Sequence, residues 1–113
     1  MRLDSMEEDV LPGGLRVATA RSQWQRGRGL MRMDELPPGR ALRIPRCSSV
    51  HTFWMRFPID LVWLDREGNV LRVDTERRRS VDFCRGAKSV IETRAGEGER
   101  YATALREASG SSG

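Results

Sequence analysis

The residue types best suited to chemistry in this chain are concentrated in residues 47–65. This stretch holds the only histidine, His51, one of the two cysteines and two of the three tryptophans. A thiol near an imidazole could form a nucleophilic pair, because an imidazolium stabilises a thiolate. In an extended strand, however, Cys47 and His51 would lie about 13 Å apart, at about 3.3 Å per residue. A Cys–His dyad therefore requires the chain to turn between them.

A metal site is a weaker prediction from the same residues. Cys47, His51 and Cys84 could supply three zinc ligands, and Asp60 could supply a fourth. The chain has no C-x-x-C pair, so we expect neither a bound metal nor a cofactor. A contact between Cys47 and Cys84, as free thiols or as a disulfide, is the better prediction, although cysteines also simply fill cores.

Asp60 is the most unusual residue of this stretch because it interrupts the apolar run of residues 57–64. A buried carboxylate is costly unless it is paired or accepts several hydrogen bonds. The candidate partners are Arg56, Arg85 and the backbone amides near His51. Asp60 could therefore tie two loops together, and His51 could hold its loop through a hydrogen bond to a backbone carbonyl. Alternatively, both side chains could face a ligand.

The elements that must position these residues follow from periodicity and turn residues. A capping box, S-x-x-Q, begins a helix at Ser22. The turn residues 65–69 join two apolar segments into a β-hairpin. Apolar and polar alternation predicts the remaining strands, and a spacing of three to four predicts a second helix. The predicted strands are residues 15–19, 41–44, 59–64, 70–73 and 88–93, and the second helix is residues 97–107.

These elements predict a β-rich α+β fold with an antiparallel sheet, which could be barrel-like, and two short helices. The length of 113 residues allows one domain, expected at residues 13–107 between disordered tails at 1–12 and 108–113. No apolar run approaches the roughly 18 residues that a membrane span needs. We therefore expect a cytoplasmic protein with reduced thiols and no membrane partner.

The basic charge of the chain raises the question of nucleic-acid binding. The formal net charge is +4, and basic residues neutralise phosphates. The arginines are scattered along the chain, however, and only Arg77, Arg78 and Arg79, followed by Arg85, form a dense patch. We therefore do not expect nucleic acid to be a partner.

Residues 50–65 read V-H-T-F-W-M-R-F-P-I-D-L-V-W-L-D. This segment resembles the signature S-V-H-T-x-x-M-x-F-P-I-D-V-x-F-L-D of a prokaryotic family, domain of unknown function 192. Residues 20–31 resemble the A-x-x-x-x-x-R-x-x-G-L-M segment of that family, Gly68 with Val70 and Leu71 matches its hairpin, and residues 84–92 resemble its C-x-x-A-x-x-V-L-E segment. The resemblance spans residues 15–96. It implies a small β-rich fold and no particular activity.

The chain departs from the family pattern after residue 96, where members commonly continue into a further strand. A missing strand would leave a sheet edge open, so we expect a monomer or a weak homodimer. Our leading hypothesis is a noncatalytic domain that binds a small molecule or a peptide end. The candidate ligand-binding residues are His51, Thr52, Met55, Asp60 and Arg85. The alternatives are a hydrolase or metal-dependent enzyme that uses Cys47, His51 and Asp60, and a nucleic-acid interaction module.

Overall fold

The computed structural model describes residues 8–19, 37–51, 58–76 and 81–110. These residues form eight strands and one helix. The elements are β1 (Glu8–Val10), β2 (Arg16–Thr19), β3 (Arg40–Pro45), β4 (Ser49–His51), β5 (Ile59–Leu64), β6 (Val70–Glu76), β7 (Val81–Phe83), β8 (Ser89–Arg94) and α1 (Gly98–Gly110). They extend beyond both limits, residues 13 and 107, that the sequence predicted for the domain.

Six of the strands form one mixed sheet in the order β1-β2-β3-β8-β5-β6. The prediction of an antiparallel sheet is wrong at one pair, because β2 and β3 run parallel. Residues 20–39 separate these two strands, and a connection of a dozen or more residues is what a parallel pair requires. The barrel-like form is also wrong, because closure needs the two outer strands to pair, and β1 and β6 are the open ends of the described sheet.

The hairpin of β5 and β6 confirms the prediction for residues 59–73. The Asp65 carboxylate accepts hydrogen bonds from the backbone amides of Glu67 (2.9 Å) and Asn69 (2.8 Å), which holds the turn. All six residues of β5 are buried, because β5 lies between β8 and β6 and has apolar clusters on both faces. Its continuous apolar sequence is typical of such a strand.

Helix α1 covers one face of the sheet, which we call the helix face. The helix confirms the prediction for residues 97–107, and its buried side chains Tyr101, Ala102 and Ala104 pack with Val62 and Ile91 of the sheet. The hydroxyl of Tyr101 donates to the backbone carbonyl of Arg16 over 2.9 Å. Burial raises the pKa of this phenol. The bond therefore ties the helix to β2 through an un-ionised side chain.

The opposite face, which we call the cysteine face, carries Leu42, Leu61, Trp63 and Val90; Cys84 belongs to the same apolar cluster, and Cys47 packs against it. Strands β4 and β7 pair as a separate two-stranded sheet. The backbone amide of Cys47 donates to the backbone carbonyl of Lys88, and the backbone amide of Cys84 donates to the backbone carbonyl of Ser48. The residues that precede β4 and follow β7 therefore join this small sheet to the cysteine face.

The prediction of two helices is not supported, because α1 is the one helix in the described residues. The helix expected to begin at Ser22 lies outside them. Within the described part of the chain, no helix is long and apolar enough to cross a membrane.

Candidate functional site

The carboxylate of Asp60 is buried under the first turn of α1. Only 4% of the residue is exposed. One oxygen, Oδ2, accepts from the backbone amides of Gly96 (2.9 Å) and Gly98 (2.8 Å), and the other, Oδ1, accepts from the hydroxyl of Thr75 over 2.7 Å. Asp60 thus ties β5 to β6 and to the start of the helix.

The position of Asp60 suits a negative charge. The first amides of a helix have no partner within the helix, and the helix dipole favours an anion there. Gly98 allows the close approach, because a Cβ atom on this residue would lie 2.8 Å from the Cβ of Asp60 and 2.9 Å from Cγ1 of Val73. The partners differ from the arginines and the amides near His51 that we expected.

Cys47 and Cys84 are not joined by a disulfide; Cys84 belongs to the apolar cluster of the cysteine face, and Cys47 packs against that cluster. The Cys47 thiol donates to the backbone carbonyl of Ser49 over 3.0 Å, and Cys84 is buried. Among the described residues, no group of three histidines, cysteines or acidic residues could hold a metal ion.

The structure describes only some of the remaining predicted site residues. The backbone of His51 ends β4, opposite Val81 of β7. Arg85 is exposed in the turn before β8. Thr52 and Met55 lie outside the described residues, as do Arg77, Arg78 and Arg79. Their roles in binding stay predictions.

The structure points to one further residue, Glu92, that we did not expect. Glu92 lies on the cysteine face, opposite Leu42 of β3 and Leu61 of β5. It is only 5% exposed, and its Oε2 atom is buried with no hydrogen-bond partner among the described residues. The sequence contained a signal for this, because residues two apart in a strand share a face, and Val90 was already expected in the core.

Burial changes the ionisation of Glu92. Loss of solvation disfavours the charged carboxylate and raises the pKa of Glu92 from 4.5 to about 7. Roughly half of the molecules should therefore carry a proton on Glu92 near neutral pH.

The charged residues that share the cysteine face with Glu92 have other described partners or are exposed. Arg40 of β3 donates to Glu8 over 3.0 Å through Nη2. Asp74 of β6 accepts from the indole of Trp63 over 2.9 Å and from Arg72 over 2.6 Å. Arg94, two residues beyond Glu92 in β8, is exposed. None of these described groups bonds to Oε2 of Glu92.

A groove of about 370 Å³ lies elsewhere, between the turn before β2 and helix α1. Its lining includes Pro12, Leu15, Thr103 and Ala104. Leu15 and Ala104 belong to the apolar cluster of the helix face. The groove is therefore separate from the cysteine face that carries Glu92.

Comparisons with known proteins agree with this architecture. The model of the family domain of unknown function 192, described as Uncharacterized ACR, matches residues 7–105. The chain belongs to this family. The resemblance predicted from the residues of the central motif is thus confirmed.

Two solved structures share the fold of this domain of unknown function 192. A protein of unknown function from Novosphingobium aromaticivorans is 16% identical with a TM-score of 0.64, over 88% of this chain and 89% of that one. A protein from Sinorhizobium meliloti, named as a proposed transcription regulator, is 20% identical with a TM-score of 0.64, over 83% of this chain and 82% of that one. At these identities the likeness shows the fold alone. No curated protein matches the chain.

Proposed function

We propose that this protein is a noncatalytic binding domain that takes a small molecule or a peptide end on its cysteine face, beside the strand that carries His51. The observation that carries the proposal is Glu92. Buried polar groups are nearly always paired, so an unpaired one requires an explanation. A buried carboxyl whose pKa is shifted by its surroundings is a candidate for a functional site.

The position of Glu92 supports a site shared with the central motif. Both cysteines pack against the apolar cluster of its face, and they flank β4 and β7 in the chain. His51 therefore belongs to a small sheet that is attached near the end of β3 and the start of β8, the strand that carries Glu92. Leu42 and Leu61, which flank Glu92, are fully buried, so a ligand that bonds to Glu92 must enter between the cysteine face and the residues packed on it. Apolar side chains with a few polar groups are the combination typical of small-molecule sites.

The candidate residues then separate into two roles. Asp60 lies on the helix face, and its described contacts hold β6 and α1, so we assign it to the fold. We propose His51, Thr52, Met55 and Arg85 as ligand contacts together with Glu92. The enzyme that would use Cys47 and His51, and the nucleic-acid module, stay untested predictions.

A screen of small fragments by NMR tests this function. We expect binding fragments to shift the methyl resonances of Leu42, Leu61 and Val90, while the methyl resonances of Leu15, beside the separate groove, stay in place. Met55→Ala and Arg85→Ala should weaken the same fragments several-fold. Arg106→Ala, which removes another exposed arginine, serves as the matched control. The proposal fails if no fragment binds, or if fragments shift only the resonances near Leu15.

A further inference from the structure

We propose that this binding domain selects ligands that carry an ammonium group on an apolar body, and that the carboxylate of Glu92 accepts the hydrogen bond of that ammonium. The inference rests on the proposed function and names the chemical class of the ligand. It assigns to Glu92 the role of a charged anchor in an otherwise apolar site.

The Oε2 atom of Glu92 is buried and lacks a hydrogen-bond donor among the described residues. The neighbouring positions across both pairings are leucines, Leu42 and Leu61, which offer no hydrogen bond. A carboxylate in such surroundings is strongly disfavoured until a donor reaches it. A ligand that supplies the donor would therefore gain a strong, charge-assisted bond.

The donor that Glu92 requires should also carry a positive charge. An ammonium supplies both a hydrogen bond and the opposite charge that a buried carboxylate needs, whereas a neutral hydroxyl supplies only the bond. The described arginines on the same face do not bond to Oε2 of Glu92. Arg40 is bonded to Glu8, Arg72 is bonded to Asp74, and Arg94 is exposed. The apolar neighbours of Glu92 favour a ligand whose remaining surface is apolar.

Binding should be linked to a proton. When the ammonium binds, the O–H bond of the protonated Glu92 carboxyl breaks, the proton passes to solvent, and an N–H of the ammonium donates to Oε2. Because the pKa of Glu92 is about 7, the ionised fraction rises about tenfold between pH 6 and pH 8. The affinity for an ammonium should rise by about the same factor. The elements that join this face also carry titratable groups, namely Cys47, His51, Asp82 and Cys84. The charged groups on this face of the strands are Glu8, Arg16, Arg40, Arg72, Asp74, Glu76 and Arg94.

Benzylamine, which is protonated at both pH values, and benzyl alcohol, its neutral counterpart, are suitable probes. Their affinities are measured by NMR titration at pH 6 and pH 8 for the natural protein, for Glu92→Gln and for Glu67→Gln. Glu67 is exposed in the hairpin turn, so its replacement makes the same chemical change away from the site. We expect the natural protein and Glu67→Gln to bind benzylamine at least tenfold more tightly than benzyl alcohol at pH 8. We expect Glu92→Gln to lose this preference.

The outcomes separate the inference from the function on which it rests. If benzyl alcohol binds beside Leu42 and Leu61 as well as benzylamine does, or if the preference persists in Glu92→Gln, the inference is overturned and the binding domain stands. If the amine preference is the same at pH 6 and pH 8, Glu92 is not the anchor. If neither probe nor any fragment shifts these resonances, the inference and the proposed function are both overturned.

Discussion

Replacement of Glu92 by glutamine should change how the stability of the protein depends on pH. The pKa of this carboxyl is raised from 4.5 to about 7 in the folded protein. Between these two values the folded state keeps a proton that the unfolded state has lost. The stabilisation that Glu92 contributes is therefore fully present below pH 4.5 and is lost as the pH rises through 7. Glutamine has no proton to lose, so Glu92→Gln should not show this loss.

The magnitude follows from the size of the shift. About 2.5 pKa units at about 1.4 kcal/mol each correspond to about 3 kcal/mol of unfolding free energy. Relative to the natural protein, Glu92→Gln should therefore gain about 3 kcal/mol between pH 4.5 and pH 8. This difference does not depend on any constant cost of burying the glutamine amide, because that cost is the same at every pH.

Urea unfolding at a series of pH values measures this difference directly. The natural protein and Glu92→Gln are compared at pH 4.5, 6, 7 and 8, with Glu67→Gln as the control for loss of an exposed carboxylate. The unfolding free energy of the control should change with pH as that of the natural protein does. If the unfolding free energy of Glu92→Gln also changes with pH as that of the natural protein does, Glu92 is not a buried, uncompensated carboxyl and the reasoning fails.

Three further substitutions test how α1 is held to the sheet. Asp60→Ala leaves the Gly96 and Gly98 amides and the Thr75 hydroxyl without their acceptor, so it should cost about 2–4 kcal/mol and lower the melting temperature by several degrees. An unchanged melting curve would refute a structural role. Gly98→Ala adds a methyl group 2.8 Å from the Cβ of Asp60 and should cost about 1–3 kcal/mol in urea unfolding, whereas Thr103→Ala at an exposed helix position should be nearly neutral; equal effects would contradict the close contact. Tyr101→Phe removes the bond to the Arg16 carbonyl and should cost about 1 kcal/mol in thermal unfolding, and a variant as stable as the natural protein would show that this bond contributes nothing.

The sequence predicted the hairpin because its signals are local. Asp65 and Asn69 lie within one turn, and the carboxylate of Asp65 accepts from an amide four residues away. The burial of Asp60 was also predictable, since a charge within an apolar run needs partners. Its partners were not, because Gly96 and Gly98 lie 36 and 38 residues further along the chain, and no local pattern brings them to β5.

The arrangement of the sheet and the position of Glu92 show the same limit. The strands β2 and β3 were predicted, but their parallel pairing depends on the path of the connection between them. Glu92 shares a face with Val90 by simple alternation, so its direction was predictable. Its lack of a partner was not, because that property depends on Leu42 and Leu61 from two other strands.

Glu92 is a carboxyl buried on the cysteine face with no described partner for its Oε2 atom. The most direct test is a ¹³C NMR titration of its side-chain carboxyl carbon in the free protein, with Glu67 as the exposed reference in the same spectra. We predict a midpoint at about pH 7 for Glu92. A midpoint near 4.5, the ordinary value, would contradict the account, because Glu92 would then be solvated or paired.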